Sequence, residues 1–255
     1  MARKTIKMPS LSRVEPGAKA TLECRVGPTY KNLTFNVSAA AGLDTADIGR
    51  IDVSIDGKVV QTFKNLQRLI DMNAYYARSE DTVAATGMEF MLHFFRSEMW
   101  DGLYRRAPGI GTQGVQTFHI EMEIAAGAPA DIAIEAHAEI DPLPQPLGAF
   151  YKVREYPFSS AVAGEVEVDK LPRGAFYSGI HLFKSDISHV EVEADQVKIV
   201  DATKAVLERQ QKEASPRARV PYTAGCTHVD FITEGDIAQS IQTSVIADFR
   251  LKMTL

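Results

Sequence analysis

Residues 27–35 read Gly27-Pro28-Thr29-Tyr30-Lys31-Asn32-Leu33-Thr34-Phe35, and residues 174–182 read Gly174-Ala175-Phe176-Tyr177-Ser178-Gly179-Ile180-His181-Leu182. Both stretches follow the pattern Gly-x-x-Tyr-x-x-apolar-x-apolar. The glycine marks a turn, and the alternation that follows is typical of a strand with one buried face. One pattern in each half of the chain is the first sign of an internal duplication.

Three further pairs of segments recur in the same order in the two halves. They are Arg50-Ile51-Asp52-Val53 with His189-Val190-Glu191-Val192, Met88-Glu89-Phe90-Met91 with Val229-Asp230-Phe231-Ile232, and His119-Ile120-Glu121-Met122-Glu123-Ile124 with Asp248-Phe249-Arg250-Leu251-Lys252-Met253. After the first pair, apolar residues at helical spacing predict a helix in each half, at about 65–78 with Asn65 as N-cap and at about 201–214. The shared order predicts that one fold occurs twice.

Alternating strands dominate each half, so the predicted fold is all-β. An antiparallel set of this size covers its apolar face as a sandwich, most often an eight-stranded jelly roll. We therefore predict two tandem eight-stranded jelly rolls, each with a short helix insertion. Three prolines in residues 141–148 predict a stiff connector, which places an N-terminal jelly roll at 1–142 and a C-terminal one at 143–255.

Composition narrows the function. The chain has 255 residues, a net charge of −5 and no apolar run of membrane-spanning length, and the acidic balance argues against broad binding of nucleic acid. Cys24 and Cys226 lie far apart without a CxxC partner, which suits synthesis in a reducing compartment such as the bacterial cytoplasm. The basic start, with Arg3, Lys4 and Lys7, is interpreted as a solvated arm.

No constellation of catalytic residues stands out. The six histidines form no HxH or HExxH spacing, and no GxSxG occurs. Glu135-Ala136-His137 and His228-Val229-Asp230 could each present two metal ligands but are interpreted as polar strand faces. The GxGxxG match at residues 109–114 is interpreted as a flexible loop, because no helix follows it. We predict no catalytic, cofactor-binding or metal-binding residues, and no enzyme.

The chain resembles the double jelly-roll major capsid proteins of corticoviruses, which are membrane-containing icosahedral phages of a lineage shared with tectiviruses and adenoviruses. The similarity is clearest in Val229–Ser240 and Ile246–Lys252. It continues in Leu171–Gly174, Gly27–Tyr30, Val53–Lys58 and Asn65–Ile70. Residues 96–112 and 141–168 are the least similar.

This resemblance implies a structural virion protein located in the capsid. Three copies would form a homotrimer, a pseudo-hexagonal tile that packs against neighbouring trimers and against penton or minor capsid proteins. The arm with Arg3, Lys4 and Lys7 would face an internal membrane, and no sequence-specific binding of nucleic acid is implied. No cofactor is required. The resemblance allows a structural calcium ion. The spacing of the carboxylates does not indicate which of them would bind it, for instance Asp44, Asp47, Glu234 or Asp236.

Two alternatives stay open. A carbohydrate- or receptor-binding sandwich of a phage spike would use aromatic loop tips, such as Trp100 and Tyr104 or Phe150, Tyr151 and Tyr156. A cupin-like metal enzyme would contain bound iron, manganese or zinc.

Overall fold

The computed structural model describes residues 4–40, 42–78, 81–141, 143–158, 164–169, 171–215, 217–221 and 225–255. The chain divides into two compact units. Unit 1 comprises Met1–Ala74, Arg78–Ser97 and Gly102–Glu155, and unit 2 comprises Tyr75–Ala77, Glu98–Asp101 and Tyr156–Leu255. The predicted division of the chain at 142/143 stays a prediction.

Unit 1 contains ten strands within the described residues. They are β1 (Lys4–Lys7), β2 (Lys19–Glu23), β3 (Thr29–Ser38), β4 (Ile48–Ile55), β5 (Lys58–Phe63), β6 (Thr82–Ala84), β7 (Gly87–His93), β8 (Ile110–Gly111), β9 (Phe118–Ile124) and β10 (Ala133–Asp141). One sheet has the order β1-β10-β3-β7-β6, with β8 also paired to β3, and the other has the order β2-β9-β4-β5. One apolar cluster takes side chains from both sheets, including Phe35, Phe90, Val53 and Ile120, so the two sheets share a core.

Unit 2 contains eight strands within the described residues. They are β11 (Glu165–Val168), β12 (Phe176–Tyr177), β13 (Gly179–Leu182), β14 (His189–Ala194), β15 (Val197–Thr203), β16 (Thr227–Asp230), β17 (Ile241–Gln242) and β18 (Phe249–Thr254). A four-stranded sheet has the order β11-β18-β14-β15, and two ribbons pair β12 with β17 and β13 with β16. The core of this unit is a separate and smaller apolar cluster that includes Val190, Val192, Val229 and Phe249.

The strand pairing of unit 1 recurs in unit 2. The order β2-β9-β4-β5 matches β11-β18-β14-β15, and the pair β3–β7 matches β13–β16. The register shift between Val53 and Ser54 on β4 also recurs between Val192 and Glu193 on β14. The sequence repeats predicted four of these equivalences, β3 with β13, β4 with β14, β7 with β16 and β9 with β18, so the internal duplication is confirmed at the level of strand pairing.

The helices occupy the predicted slots but are shorter than predicted. Helix α1 spans Leu66–Tyr75 and begins where the Asn65 side chain accepts the Arg68 N–H at 3.0 Å. It ends near Ala77, whose φ of +48° leaves the helical region. Helix α2, Gly102–Arg106, was not predicted.

Helix α3 spans Lys204–Lys212. Residues 201–203, which were predicted to be helical, belong to β15 because their alternating side chains continue the strand. No helix within the described ranges has both the length and the apolar character needed to span a bilayer.

Candidate functional site

A hydrogen-bonded corner lies at the start of β3 in unit 1. Gly27 has a φ of +119°, which favours glycine, and its N–H donates to Thr112 Oγ1 at 2.7 Å. The Thr112 hydroxyl in turn donates to the Pro28 carbonyl at 2.7 Å, and the buried Tyr30 hydroxyl donates to the Arg25 carbonyl at 2.7 Å. Burial raises the pKa of Tyr30 above its ordinary value, so its phenol stays a neutral donor.

The same corner is present at the start of β12 in unit 2. Gly174 has a φ of +100°, and its N–H donates to Thr243 Oγ1 at 3.1 Å. The Thr243 hydroxyl donates to the Ala175 carbonyl at 2.6 Å, and the Tyr177 hydroxyl donates to the Pro172 carbonyl at 2.7 Å. Each atom of the first corner therefore has a counterpart in the second.

Ring contacts extend the correspondence between the two corners. Tyr30 lies against Phe118 with centroids 5.0 Å apart and planes at 60°, and Tyr177 lies against Phe249 with centroids 5.2 Å apart, also at 60°. Each tyrosine thus joins the corner to the first residue of β9 or β18, a central strand of its sheet.

A second repeated feature is the turn that joins β4 to β5 in unit 1. Asp56 and Gly57 both have positive φ, +49° and +73°, as a two-residue turn between antiparallel strands requires. The Asp56 carboxylate accepts the N–H groups of Gln116 and Thr117 at 2.8 and 2.9 Å. The turn therefore holds the chain just before β9.

The turn that joins β14 to β15 is its counterpart in unit 2. Asp195 and Gln196 have φ values of +49° and +68°. The Asp195 carboxylate accepts the N–H groups of Ala247 and Asp248, both at 2.8 Å, just before β18. Gln196 occupies the position of Gly57, so unit 2 places a residue with a side chain in the left-handed region.

Unit 2 also contains a fully buried ion pair. Arg219 Nε lies 2.8 Å from Asp230 Oδ2, and both side chains have an exposed fraction of 0%. Arg219 also donates to the Ile232 carbonyl at 3.0 Å, and Asp230 accepts from the Tyr75 hydroxyl at 3.2 Å. Because its charges are compensated by hydrogen bonds, the pair is held in one geometry.

A histidine pair lies beside this ion pair. His181 Nδ1 and His228 Nδ1 are 2.7 Å apart, and the Tyr75 ring stacks on the His228 ring with centroids 4.0 Å apart. Burial, together with the positive charges of His181 and Lys204, lowers the pKa of His228 to about 2. His228 is therefore neutral in the folded protein at physiological pH.

The sequence interpretation of His228-Val229-Asp230 as a polar strand face is wrong. His228 and the Asp230 side chain are buried, because Tyr75 and Arg219 cover them. Nothing in the sequence pattern distinguishes Arg219 from the solvated arginines near it, so this cluster could not be predicted.

The other candidate ligands serve local structure. Glu135 accepts from Lys7 Nζ at 2.8 Å, and this ion pair lowers the pKa of Glu135. Asp47 accepts the Asp44 N–H at 2.7 Å, and Asp236 accepts the Ala238 N–H at 2.8 Å. In the part of the chain that the structure describes, no group of three or more His, Cys, Asp or Glu residues could hold a metal ion.

The two cysteine thiols are buried. Burial raises the pKa of Cys24 to about 12, so its thiol stays protonated and is a poor nucleophile.

The candidate aromatic residues differ in exposure. Trp100 is 70% exposed, and its backbone N–H is bound to the Gly235 carbonyl at 2.9 Å. Phe150 packs against the core of unit 1, and the Tyr151 ring lies 4.1 Å below the Arg96 guanidinium. Phe150 and Tyr151 therefore contribute to packing within unit 1.

The GxGxxG segment at residues 109–114 is held by close backbone packing, which differs from the flexible loop that was predicted. A Cβ at Gly111 would overlap the Pro146 carbonyl oxygen, and Gln113 N–H donates to the Gln145 carbonyl at 2.9 Å. The absence of a side chain at Gly111 lets residues 145–146 of the proline-rich connector lie against this segment.

Of the basic arm, Lys4 and Lys7 lie on β1, which pairs with β10. Arg3 lies outside the described residues.

Comparison with known proteins gives matches over most of the chain. The viral coat protein P2 N-terminal domain family matches residues 5–141, and the P2 C-terminal domain family matches residues 150–255. The chain is 28% identical to the major capsid protein P2 of Pseudoalteromonas phage PM2 over 266 aligned positions, which cover 98% of this chain and 91% of that protein.

Two solved structures are similar to this chain in fold. The crystal structure of the PM2 major capsid protein P2 matches with a TM-score of 0.86 and 26% identity, covering 99% of this chain and 91% of that one. The STIV major capsid protein matches with a TM-score of 0.63 at 9% identity, covering 100% of this chain and 96% of that one, and this likeness concerns the fold alone.

Proposed function

The chain belongs to the viral coat protein P2 family, and from this premise we propose that three copies form a homotrimeric tile of an icosahedral phage shell. The protein is a structural virion protein located in the capsid, and it is not an enzyme. The predicted resemblance to corticovirus capsid proteins and the predicted double jelly roll are both confirmed.

The repeated strand pairing is the observation that supports the trimer. Two units with the same pairing order give each copy two similar lobes, so a trimer has six. Six similar lobes around a threefold axis approximate a hexagonal outline, which can pack side by side into a shell. Such a tile presents similar edges to neighbouring trimers and to penton or minor capsid proteins.

Light scattering during size exclusion tests the trimer directly. We expect a mass three times that of the 28.0 kDa chain at micromolar concentration, and six lobes in negatively stained images. Obligate interfaces bury about 2,000–5,000 Å², enough to keep such a trimer intact on dilution. A monomer across the whole concentration range contradicts the proposal.

We further propose that the basic arm faces the internal membrane. Lys4 is exposed, whereas Lys7 is bound to Glu135, so Lys4 and the preceding Arg3 would supply most of the charge available to lipid headgroups. Vesicles that contain anionic lipid should bind the protein, and the combined substitution of Arg3, Lys4 and Lys7 by Glu should abolish this binding. Reversing Lys58 and Lys64, which lie outside the arm, is the control for a general effect of negative charge. Equal binding by the unchanged protein and the arm variant contradicts the contact.

No cofactor is needed for the fold of a single chain on this proposal. No group of three or more His, Cys, Asp or Glu residues within the described ranges could hold a metal ion, so a structural calcium ion would also need backbone or amide carbonyls, a second copy, or residues outside those ranges. We expect EDTA to leave the unfolding midpoint of the trimer unchanged. A lower midpoint, restored by added calcium, would show that the ion is required.

A further inference from the structure

The outer edge of β5 in unit 1 is covered by an extended segment of the chain, residues 151–155. Thr62 N–H donates to the Val153 carbonyl at 2.9 Å, and Val153 N–H donates to the Val60 carbonyl at 3.2 Å. Gln61 and Val153 form a parallel bridge. The segment therefore lies along β5 as a short additional strand.

Side chains hold this segment in place. Gln61 Nε2 donates to the Tyr151 carbonyl at 3.1 Å, and Lys64 N–H donates to the Glu155 carboxylate at 2.8 Å. Val153 packs against the core of unit 1. The segment thus has an apolar residue, Val153, on the strand edge and a carboxylate, Glu155, two residues later. This carboxylate is bound to the Lys64 N–H just before helix α1.

Strand β15 is the counterpart of β5 in unit 2. The paired residues Val53 and Gln61 match Val192 and Val200, and the register shift follows them in both hairpins. The equivalents of the Val60 carbonyl and of the Thr62 and Lys64 N–H groups are therefore the Ile199 carbonyl and the Asp201 and Thr203 N–H groups.

Nothing in the described part of the chain covers this edge. The backbone hydrogen bonds of β15 go to β14, and β15 is the last strand of its sheet. Val197 and Ile199 alternate along it with exposed fractions of 65% and 43%. Apolar residues alternating on an open edge form a template for another strand.

Two of the usual protections of an open edge, a proline and a very short strand, are absent from β15. The strand has seven residues and no proline. Its single lysine, Lys198, is bound to Glu191 and Asp201 of the same sheet, so its charge is directed along the sheet surface and not at an approaching strand. Charged residues, proline or short length normally prevent strand addition at an edge.

The start of α3, next to the end of β15, favours a negatively charged group on a docked strand. Its N-cap, Thr203, makes no side-chain capping hydrogen bond, and its first turn contains Lys204 and no acidic residue. A carboxylate from a docked strand would lie where Glu155 lies before α1, next to the Thr203 N–H and the positive end of the helix dipole.

We propose that the edge of β15 binds an extended segment of another polypeptide, which runs parallel to β15 and has an apolar residue opposite Val200 and a carboxylate two residues later. The Val153-Arg154-Glu155 segment of this chain is the pattern for that chemistry. A second copy already has this segment bound to its own β5, so the partner is a different protein that donates a strand by backbone hydrogen bonding.

The experiment uses a labelled peptide with the sequence of residues 149–156 and the full-length protein. Fluorescence anisotropy should show saturable binding. Amide exchange measured by NMR should slow at least tenfold at Asp201 and Thr203, with no change at Thr62 and Lys64. Replacing the peptide valine by N-methylvaline removes the donor to the Ile199 carbonyl and should weaken binding at least tenfold.

Two variants at one position separate the backbone from the side chain. Both Asp201→Ala and Asp201→Pro remove the carboxylate, but only the proline also removes the outward N–H. We expect Asp201→Ala to bind within twofold of the unchanged protein and Asp201→Pro to bind at least tenfold more weakly.

Three results would overturn the proposal, and none of them contradicts the homotrimer. The first is equal binding of the N-methylated and the unmodified peptide. The second is protection of the Thr62 and Lys64 amides in place of the Asp201 and Thr203 amides. The third is protection of the β15 amides without peptide, caused by pairing of two copies.

Discussion

At the residue scale, the two corner threonines hold the backbone of the corners by hydrogen bonds. Thr112 and Thr243 each accept one backbone N–H and donate to one backbone carbonyl. Replacing either by valine keeps the shape but leaves the glycine N–H unpaired and removes one of two hydrogen bonds to the carbonyl, which still accepts the backbone N–H of the same residue. Each change should lower the free energy of unfolding by about 1–3 kcal/mol in urea titrations.

Thr254→Val is the matched control for both changes. Thr254 has an exposed side chain at the end of β18, and its substitution should stay within about 0.5 kcal/mol of the unchanged protein. If the corner variants were as stable as this control, the corners would not contribute to folding.

His228 gives the protein a predicted dependence on pH. Its pKa is about 2 when folded and near 6.5 when unfolded, so below pH 6.5 only the unfolded state takes up the proton. The stabilisation is complete above pH 6.5 and decreases as the pH falls towards 2, by at most about 1.4 kcal/mol per pH unit. Urea unfolding between pH 7 and pH 4.5 should show this slope.

The variant His228→Asn cannot titrate, so its slope over the same pH range should be shallower. His119→Gln, on the outer face of β9, is the control and should keep the slope of the unchanged protein. Parallel slopes for the unchanged protein and His228→Asn would exclude His228 as the cause.

Residue roles were only partly predictable. The sequence identifies Gly27, Tyr30, Gly174 and Tyr177, because turn and strand signals surround them. It misses the partner threonines, because each lies far along the chain in a loop without a periodic pattern. The Arg219–Asp230 pair was equally hidden, since burial of a charge depends on what covers it.

At the element scale, the two hairpin turns allow a pair of reciprocal substitutions, at Gly57 and at its counterpart Gln196. Gln196 has a φ of +68°, a conformation that costs side-chain-bearing residues energy and glycine almost none. Gln196→Gly should therefore stabilise the protein by about 0.5–1 kcal/mol, and Gly57→Gln should destabilise it by about 1 kcal/mol. Thermal unfolding of both variants beside the unchanged protein measures the exchange, and shifts of the same sign would contradict it.

Element type was more predictable than element bounds. The Asn65 cap was identified because short-range chemistry determines it. Helix α3 was predicted too long at its start, since residues 201–203 continue a strand whose pairing with β14 is a long-range property.

At the scale of the whole molecule, the two units have unequal cores. Among the described residues, the apolar cluster of unit 2 has roughly a third as many buried side chains as that of unit 1. Less buried apolar area gives less stabilisation. We expect unit 2 to unfold at a lower urea concentration than unit 1 in the dissociated chain.

Hydrogen exchange with mass spectrometry at increasing urea tests this order. Peptides from β14 and β18 should lose protection before peptides from β4 and β9. Simultaneous loss in all four strands would show that the two units unfold as one.

The duplication made the fold predictable, because four segment pairs in one order are a property of the sequence itself. The edge of β15 was not predictable in the same way. Its exposure depends on which segments cover the two equivalent sheets, and only residues 151–155 on β5 show the contrast.

The two corners also bear on how far such proteins can diverge. In each corner the threonine and tyrosine hydroxyls donate to main-chain carbonyls, so the side chains next to these carbonyls can change without altering the hydrogen bonds. Within this chain, Pro28-Thr29 in the corner of unit 1 corresponds to Ala175-Phe176 in the corner of unit 2. Hydrogen bonds of this kind can be conserved after sequence similarity is lost. Distant relatives would therefore be recognised better by comparing the geometry between the threonine and the backbone than by aligning sequences.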